Sequence, residues 1–176
     1  MNKGLIHIYC GDGKGKTTAA FGLAIRAAGR NKKVVISQFL KDYNTGELKS
    51  VEKLSDNIKV IFGKPISKFI WNMNEEEKNQ LKEEETNYFG KIVQYTKENN
   101  VDVLILDEII GTINNGTISL QTIMDFLKNK PESLEVIMTG RDPKEELINI
   151  ADYISEVKMI KHPFEKGIGS REGIEY

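Results

Sequence analysis

The 176-residue sequence contains few of the residues from which disulfides and zinc sites are built. Its single cysteine, Cys10, excludes an internal disulfide, and its two histidines, His7 and His162, are too far apart in sequence for a zinc-binding pattern. No apolar run approaches the roughly 20 residues that cross a bilayer, and the chain does not open on a charged segment followed by an apolar one. We therefore expect a cytoplasmic protein with neither a structural metal nor a membrane partner.

Charge of neither sign is in excess. Lysine and arginine number 25 and aspartate and glutamate 26, so the chain has no strong field to attract nucleic acid or an anionic membrane surface. A small-molecule ligand is therefore favoured over a nucleic-acid partner. The length is typical of one domain, and we expect residues 1–176 to form a single domain with a sizeable core.

Six short apolar segments are separated by segments with helical patterns. Several of them are continuous rather than alternating, as expected for strands that are buried on both faces of a parallel sheet. The sequence therefore predicts an α/β fold of three layers, with a mainly parallel sheet of about six strands flanked by helices. The predicted strands are residues 5–9, 34–39, 58–62, 101–107, 135–139 and 153–160.

Helix signals lie between the predicted strands. Residues 17–29 carry several alanines on one face, which suits close packing against a sheet. Asn74 followed by Glu77 is typical of a capping box and predicts the start of a long helix. Pro143 predicts a further helix in which it occupies the first position. The segment 40–73 is the least regular part of the chain.

The stretch CGDGKGKT, residues 10–17, follows the first predicted strand and leads into a helix. This is the context of a phosphate-binding loop, in which backbone N–H groups converge on an anion and the helix N-terminus adds partial positive charge. The usual pattern, G-x-x-x-x-G-K-[ST], has glycine where this chain has Cys10, which we expect to be a small buried packing residue. Lys16 is predicted to reach a phosphate and Thr17 to bind Mg²⁺. The residues predicted to bind ATP are Gly11, Asp12, Gly13, Lys14, Gly15, Lys16, Thr17 and Thr18.

The stretch VLILDE, residues 103–108, is an apolar strand that ends in two carboxylates. By itself it is more consistent with a strand whose terminal acids are solvated. Together with the phosphate loop it predicts the acidic side of a Mg²⁺ shell, because such acids lie across the sheet from the loop in loop-type nucleotidases. The predicted metal ligands are Thr17 and Glu108, with Asp107 as a candidate that acts through water.

These motifs leave three uses of bound ATP open. In an ATPase, Glu108 would orient water against the γ-phosphate, and in a kinase a lid of arginines would stabilise the transferring phosphoryl group. In a regulatory module, ATP would only bias a conformation. The arginines include no closely spaced lid pair, which disfavours a kinase. They are Arg26, Arg30, Arg141 and Arg171.

Further stretches match one protein family in order along the chain. The sequence resembles the P-loop family of corrinoid adenosyltransferases, the ATP:cob(I)alamin or cob(I)yrinic acid a,c-diamide adenosyltransferases, over nearly its whole length. The resemblance implies a P-loop NTPase fold of the RecA-like type. The matching stretches are GDGKGKTTAAFG (11–22), QFLK (38–41), GE (46–47), FIW (69–71), LDE (106–108), TGR (139–141), ADYISE (151–156), KHPFEKGI (161–168) and GIEY (173–176).

The resemblance implies an unusual use of ATP. Members of this family transfer the 5′-deoxyadenosyl group to cobalt and release the whole triphosphate, in adenosylcobalamin biosynthesis or salvage. The phosphate loop then holds the leaving group, so Lys16 is expected to be catalytic and Lys14 to add positive charge. The reduced corrinoid supplies the nucleophile, which fits a chain with few nucleophilic side chains.

The resemblance also implies a role for two aromatic residues of the stretch KFIW. In the family, bulky apolar side chains displace the lower axial ligand of cob(II)alamin, and axial ligation strongly affects a redox potential. Phe69 and Trp71 are the expected residues, and in an extended segment they would point the same way. Without the family, two core aromatics would be the favoured interpretation.

Partners are likewise implied by the resemblance. The family suggests an electron-donor protein or a reduced flavin, and a second copy of the chain in a homodimer. Asp12 stands where many members have asparagine, and we expect it to face the ribose or solvent. His162 is interpreted either as a ligand contact or as a cap of the last strand, and the sequence favours neither.

Overall fold

Six strands form one sheet in the computed structural model, which describes residues 3–42, 46–54, 56–66, 68 and 70–175. The strands are β1 (Ile6–Cys10), β2 (Val34–Gln38), β3 (Ile58–Ile61), β4 (Val103–Asp107), β5 (Glu135–Thr139) and β6 (Tyr153–Glu156). Their order across the sheet is β3-β2-β4-β5-β1-β6, and every neighbouring pair is parallel. The predicted α/β class with a parallel sheet is therefore confirmed.

Helices connect the strands and cover both faces of the sheet. Leu104 and Leu106 of β4 face one core, whereas Val103 and Ile105 face the other, because successive side chains of a strand point to opposite faces. Alternation of this kind gives the three layers that the continuous apolar runs predicted. The helices are α1 (Lys16–Ala28), α2 (Gly46–Leu54), α3 (Glu75–Glu98), α4 (Ile109–Asn114), α5 (Leu120–Lys128) and α6 (Glu145–Ile150), and single 3₁₀ turns span Ile70–Asn72 and Pro163–Lys166.

The two cores contain different helices. Residues of α3, α4 and α5 share one core with β1, β4 and β5, and residues of α1 and α2 share the other with β2, β3 and the remaining faces of β4 and β5. In α1 the buried residues include Ala20, Ala24 and Ala28, whose small side chains let the helix approach the sheet closely. This close approach places the start of α1 next to the ends of the central strands.

Parallel strands all end at the same edge of the sheet, which we call the carboxyl edge. The segments that follow β1, β2, β4 and β5 therefore meet there, and they contain the stretches GDGKGKT, FLK, E and GR in turn. Ligands of open α/β sheets bind outside this edge. The fold thus brings together motifs that are up to about 130 residues apart in sequence.

The long helix begins where its capping box predicts. The side chain of Asn74 accepts a hydrogen bond from the Glu77 backbone N–H at 2.9 Å, and the Glu77 carboxylate accepts one from the Asn74 N–H at 2.8 Å. These two bonds satisfy N–H groups that have no partner within a helix.

Two local predictions are wrong. The helix after β5 begins at Glu145 with Lys144 as its cap, so Pro143 precedes it; Lys144 has an extended backbone, with a ψ of 151°, and this separates Pro143 from the helix. The segment around Trp71 is a 3₁₀ turn rather than extended, because the Met73 N–H donates to the Ile70 carbonyl at 3.1 Å. Phe69 lies outside the described residues.

Segment 40–73 holds more regular structure than its composition suggests. It contains the helix α2, whose Leu48 and Val51 are buried one turn apart. Among the described residues, no helix is both long and apolar enough to span a bilayer.

Candidate active site

The phosphate loop lies against the backbone that follows β6. The N–H of Gly13 donates to the Val157 carbonyl at 2.8 Å, and a Cβ atom at Gly11 would lie only 2.4 Å from the same oxygen. Gly11 also has a φ of 106°, and Gly15, which caps α1, has a φ of 115°. Glycine is required at Gly11 for both reasons, since side chains rarely adopt this conformation and none would fit.

Lys16 lies inside the loop rather than in solvent. Its side chain is buried, and its Nζ donates to the Gly13 carbonyl at 2.9 Å. Burial lowers the pKa of Lys16, and Glu108 is the largest influence that opposes this shift. The ammonium group is thus held by the backbone of the loop itself.

Lys14 is exposed and is joined to the C-terminal segment. Its Nζ lies 3.0 Å from the Glu175 carboxylate, which also accepts hydrogen bonds from Arg171 at 3.0 and 3.2 Å. Hydrogen bonds from Arg171 and Lys14 lower the pKa of Glu175 to about 2. The outer side of the loop is therefore covered by residues that are distant in sequence.

Asp107, the last residue of β4, is the centre of a buried hydrogen-bond network. Its Oδ1 accepts bonds from the hydroxyls of Thr17 at 2.9 Å and Thr139 at 2.7 Å. Its Oδ2 accepts a bond from the Gln38 amide at 2.9 Å, and Lys41 Nζ lies 4.0 Å from the same oxygen. Side chains from β2, β5 and α1 therefore fix the carboxylate of this strand end.

Glu108 adopts a left-handed conformation, with a φ of 61°, between β4 and α4. Its backbone N–H donates to the Thr139 hydroxyl at 2.9 Å, so that hydroxyl serves Glu108 and Asp107 at once. Burial, and next the charge of Asp107, raises the pKa of Glu108. The hydrogen bond to Thr139, on the neighbouring strand β5, stabilises the strained backbone of Glu108.

Two cavities adjoin at the carboxyl edge. The first, the loop cavity, has a volume of about 270 Å³ and is lined by residues 12–18 together with Lys41, Glu47, Glu108, Arg141, His162, Ile174 and Glu175. The second, the large cavity, has a volume of about 890 Å³ and is lined by Leu40, Lys41, Asp42, Ile66, Lys68, Ile70, Trp71, Glu108, Asn115 and Arg141. Lys41, Glu108 and Arg141 belong to both linings, so the two cavities share one wall. The large cavity is at the upper end of the range of about 300–1,000 Å³ for small-molecule sites.

Comparison with known protein families gives a match over nearly the whole chain. The sequence model of one family, described as ATP:corrinoid adenosyltransferase BtuR/CobO/CobP, matches residues 2–176. The chain belongs to this corrinoid adenosyltransferase family. The resemblance recognised from the motifs is thus confirmed, and the chain is a member of an enzyme family.

Curated relatives agree with the family. The corrinoid adenosyltransferase of Escherichia coli (strain K12) is 32% identical, with an alignment that covers 99% of this chain and 86% of the relative. The corrinoid adenosyltransferase of a Sinorhizobium species is 32% identical over 99% of this chain and 81% of the relative. Corrinoid adenosyltransferase CobA of Salmonella typhimurium (strain LT2) is 31% identical over 99% and 86%.

A solved structure is similar in fold alone. The cytoplasmic domain of EssC has a TM-score of 0.51 at 15% identity, covering 96% of this chain and 34% of that chain. The parallel sheet flanked by helices is consistent with this likeness, which concerns the fold alone.

Most of the predicted site residues of this corrinoid adenosyltransferase family member line one of the two cavities. Residues 12–18 line the loop cavity, whereas Gly11 packs on Val157. Trp71 lines the large cavity and is 77% exposed, while Phe69 lies outside the described residues. Cys10 is buried, as expected of a packing residue, and burial raises its pKa.

Asp12 and His162, whose contacts the sequence did not determine, each accept a hydrogen bond from the backbone. Asp12 is exposed, and its Oδ1 accepts the Met159 N–H at 3.0 Å, which lowers its pKa and ties the loop to the segment after β6. His162 Nδ1 accepts the Phe164 N–H at 3.2 Å, so it caps the 3₁₀ turn after β6. Its ring also lines the loop cavity.

Four polar residues at the site were not predicted. They are Gln38, Lys41, Thr139 and Arg141, and each belongs to QFLK or TGR, stretches that carried the resemblance. Both stretches lie at or just after the end of a predicted strand. The rule that parallel strands end at one edge was therefore the available signal.

Proposed function

We propose that this protein transfers the 5′-deoxyadenosyl group of ATP to the cobalt of a reduced corrinoid, cob(I)alamin or cobyrinic acid a,c-diamide, and releases triphosphate. The observation that supports this most directly is the wall shared by the loop cavity and the large cavity. A nucleotide gripped by its phosphates in the first can present its ribose to a large ring in the second. The names of the curated relatives agree with this reaction.

In the proposed reaction, the cobalt–C5′ bond forms as the bond between C5′ and the bridging oxygen of ATP breaks. The electron pair of the new bond comes from cob(I), and the pair of the broken bond leaves with the triphosphate. Negative charge therefore develops on oxygen beside the loop. Lys16 and the loop N–H groups are placed to stabilise that charge, which is the reason for calling Lys16 catalytic.

The donor set at the end of β4 fits Mg²⁺. No group of three or more His, Cys, Asp and Glu side chains forms a metal cluster within the described residues. Mg²⁺ is instead bound in such enzymes by one or two carboxylates together with substrate phosphates. Thr17, Glu108 and Asp107 would hold it here, and the direct hydrogen bond between Thr17 and Asp107 favours Asp107 as the nearer carboxylate. When bound, the ion would neutralise charge on the triphosphate.

Trp71, with Phe69, is proposed to face the corrinoid and to displace its lower axial ligand. Trp71 lines the large cavity at an exposed position, where an apolar ring is available to a ligand. Such displacement would ease reduction of cob(II) to cob(I), because axial ligands strongly affect the potential.

The remaining expectations stay predictions. They are the single domain over 1–176, the electron-donor protein or reduced flavin, the homodimer and the cytoplasmic location. The role in adenosylcobalamin biosynthesis or salvage depends on which corrinoid is accepted.

Product analysis tests the proposed function. Protein is incubated with Mg²⁺-ATP and chemically reduced cobalamin, and the products are separated by chromatography. Adenosylcobalamin and triphosphate in equal amounts are expected. ADP with phosphate would show instead an ATPase in which Glu108 activates water, and absence of turnover would leave a regulatory nucleotide-binding module.

A further inference from the structure

The chain leaves β5 in close contact with α4. A Cβ atom at Gly140 would lie only 2.6 Å from the Ile110 Cβ and 3.2 Å from the Gly111 backbone nitrogen, and Gly140 has a φ of 146°. A side chain at this position is therefore excluded both by space and by backbone conformation. The segment that begins here is packed onto α4, and its next residue is Arg141.

Asp142, the second residue after Gly140, has an unfavourable backbone conformation. Its φ is 49°, in the left-handed region, which aspartate adopts more readily than most residues but at a cost that glycine does not have. Pro143 follows it, and a residue before proline is restricted towards an extended backbone with a negative φ. Such a conformation persists only where the surroundings hold it.

The side chain of Asn114, the last residue of α4, makes two hydrogen bonds to this turn. Its Nδ2 donates to the Arg141 carbonyl at 2.9 Å and to the Asp142 carbonyl at 3.2 Å. These two carbonyls belong to the peptide groups on either side of Asp142. One amide group therefore joins the end of α4 to both sides of the strained residue and fixes the direction of the chain there.

Arg141 belongs to the wall shared by the loop cavity and the large cavity. Asn114 is not among the described residues that line either cavity, so any effect that it has on a ligand passes through Arg141. A guanidinium group is a strong hydrogen-bond donor to phosphate oxygens. Under the proposed function, the bond that breaks lies at the junction of the two cavities, where this cation would stabilise the departing triphosphate.

We propose that Asn114 is a positioning residue, whose side-chain amide holds the strained turn at Asp142 and thereby keeps Arg141 in the wall between the two cavities. The effect on the turn stands on the two hydrogen bonds and the backbone geometry alone. The effect on phosphate binding and on transfer rests on the proposed function.

Backbone NMR of the protein without ligand tests the effect on the turn. Coupling constants of Asp142 distinguish a positive φ from a negative one. We expect a positive φ in the unmodified protein and a shift to negative φ in Asn114→Ala, because the strain is no longer opposed. A positive φ that persists in Asn114→Ala would overturn the proposal. If Asn114→Ala does not fold, Asn114→Asp keeps the shape of the side chain and removes the donors.

Calorimetry with inorganic triphosphate tests the effect on the site. We expect Asn114→Ala to weaken binding about fivefold, within the range for one lost hydrogen bond. In an Arg141→Ala background the same change should weaken binding less than about twofold, because the group through which Asn114 acts is absent. In an Asp142→Gly background it should also cost less than about twofold, because glycine keeps the left-handed conformation without strain. Equal losses in all three backgrounds would overturn the proposal.

The matched control is Asn129→Ala. The Nδ2 of Asn129 donates to the Asp125 carbonyl at 2.8 Å at the end of α5, so the same type of bond is lost at another helix end. Triphosphate binding and the φ of Asp142 should not change in this variant, and a loss of binding equal to that of Asn114→Ala would overturn the proposal. Failure of the unmodified protein to bind triphosphate or to form adenosylcobalamin would contradict the proposed function and leave the NMR test of the turn intact.

Discussion

The loop cavity and the large cavity are built in different ways. Half of the residues that line the loop cavity belong to one contiguous stretch, residues 12–18, which makes hydrogen bonds to Val157, Met159 and Asp107. The large cavity takes its lining from separate segments, and its aromatic residue Trp71 is exposed. Under the proposed function, the loop cavity would hold phosphate rigidly and the large cavity would offer a more adaptable surface to a large ring.

Replacing Lys16, which lines the loop cavity, should lower the rate of transfer more than any other change proposed below. Lys16→Ala is expected to lower the rate of transfer by about 10²–10³-fold, the usual loss for one donor to a developing charge. The loss should persist when preformed cob(I)alamin is supplied, since it concerns the leaving group. The rate of adenosylcobalamin formation is followed by absorbance. The exposed Lys14→Ala serves as control, and an equal effect of both changes would contradict the assignment.

The buried Glu85 of α3 is a titratable group, and its ionisation should affect the stability of the protein. The folded pKa of Glu85 is about 7, above its ordinary value of 4.5, so the folded state binds more protons than the unfolded state between these values. Stability should therefore fall as pH rises through this window, by about 2 kcal/mol from about pH 5 to about pH 8.

Urea unfolding of the unmodified protein and of Glu85→Gln measures that contribution. The difference in free energy of unfolding between them should change with pH as described, while Glu83→Gln should follow the unmodified protein. A difference that does not vary with pH would contradict the raised pKa.

The Thr139 hydroxyl hydrogen-bonds to Asp107 and to the N–H of Glu108, and Glu108 lines both cavities. Thr139→Val keeps the shape but removes a donor to Asp107 and the acceptor for the Glu108 N–H, and we expect about a tenfold loss of transfer and a higher Mg²⁺ requirement. Thr139→Ser should restore most of the activity. The matched control is Thr112→Val, whose hydroxyl only donates to the Ile109 carbonyl. Similar behaviour of the two valine variants would argue against a role in the site.

Trp71→Ala should affect the large cavity and leave the loop cavity unchanged. We expect about a fivefold loss when cob(II)alamin and a reductant are supplied, and a smaller loss with preformed cob(I)alamin. Affinity for ATP, measured by calorimetry, should not change. Equal losses in the two assays would indicate that Trp71 only shapes the cavity.

The same contrast explains what could be predicted from the sequence. The loop residues are contiguous, and their glycine spacing reports a backbone requirement, as the φ values of Gly11 and Gly15 show. Continuous apolar runs gave the parallel sheet, because strands such as β2 and β4 are buried at every residue. In both cases the feature depends on contiguous residues, so the sequence alone predicts it.

Other features depend on contacts between distant segments. The buried Glu85 has no local signal, since it is the last of three consecutive glutamates on a charged helix, and glutamate on such a helix is normally solvated. The 3₁₀ turn at Trp71 was missed for a different reason: it spans only three residues, Ile70–Asn72, which is too short for a periodic pattern to mark it. Thr139 and Gln38 became visible as site residues only when β5 and β2 were placed on either side of β4.

The attachment of the loop to residues 157–175 also has a consequence for biosynthesis. The segments that carry Val157, Met159 and Glu175 leave the ribosome long after the glycines that they support. A nascent chain that has completed only its first five strands would contain the entire ATP-binding motif without its outer support. We therefore expect nucleotide to be captured only after residues 157–175 have been synthesised, so that shorter nascent chains do not sequester it.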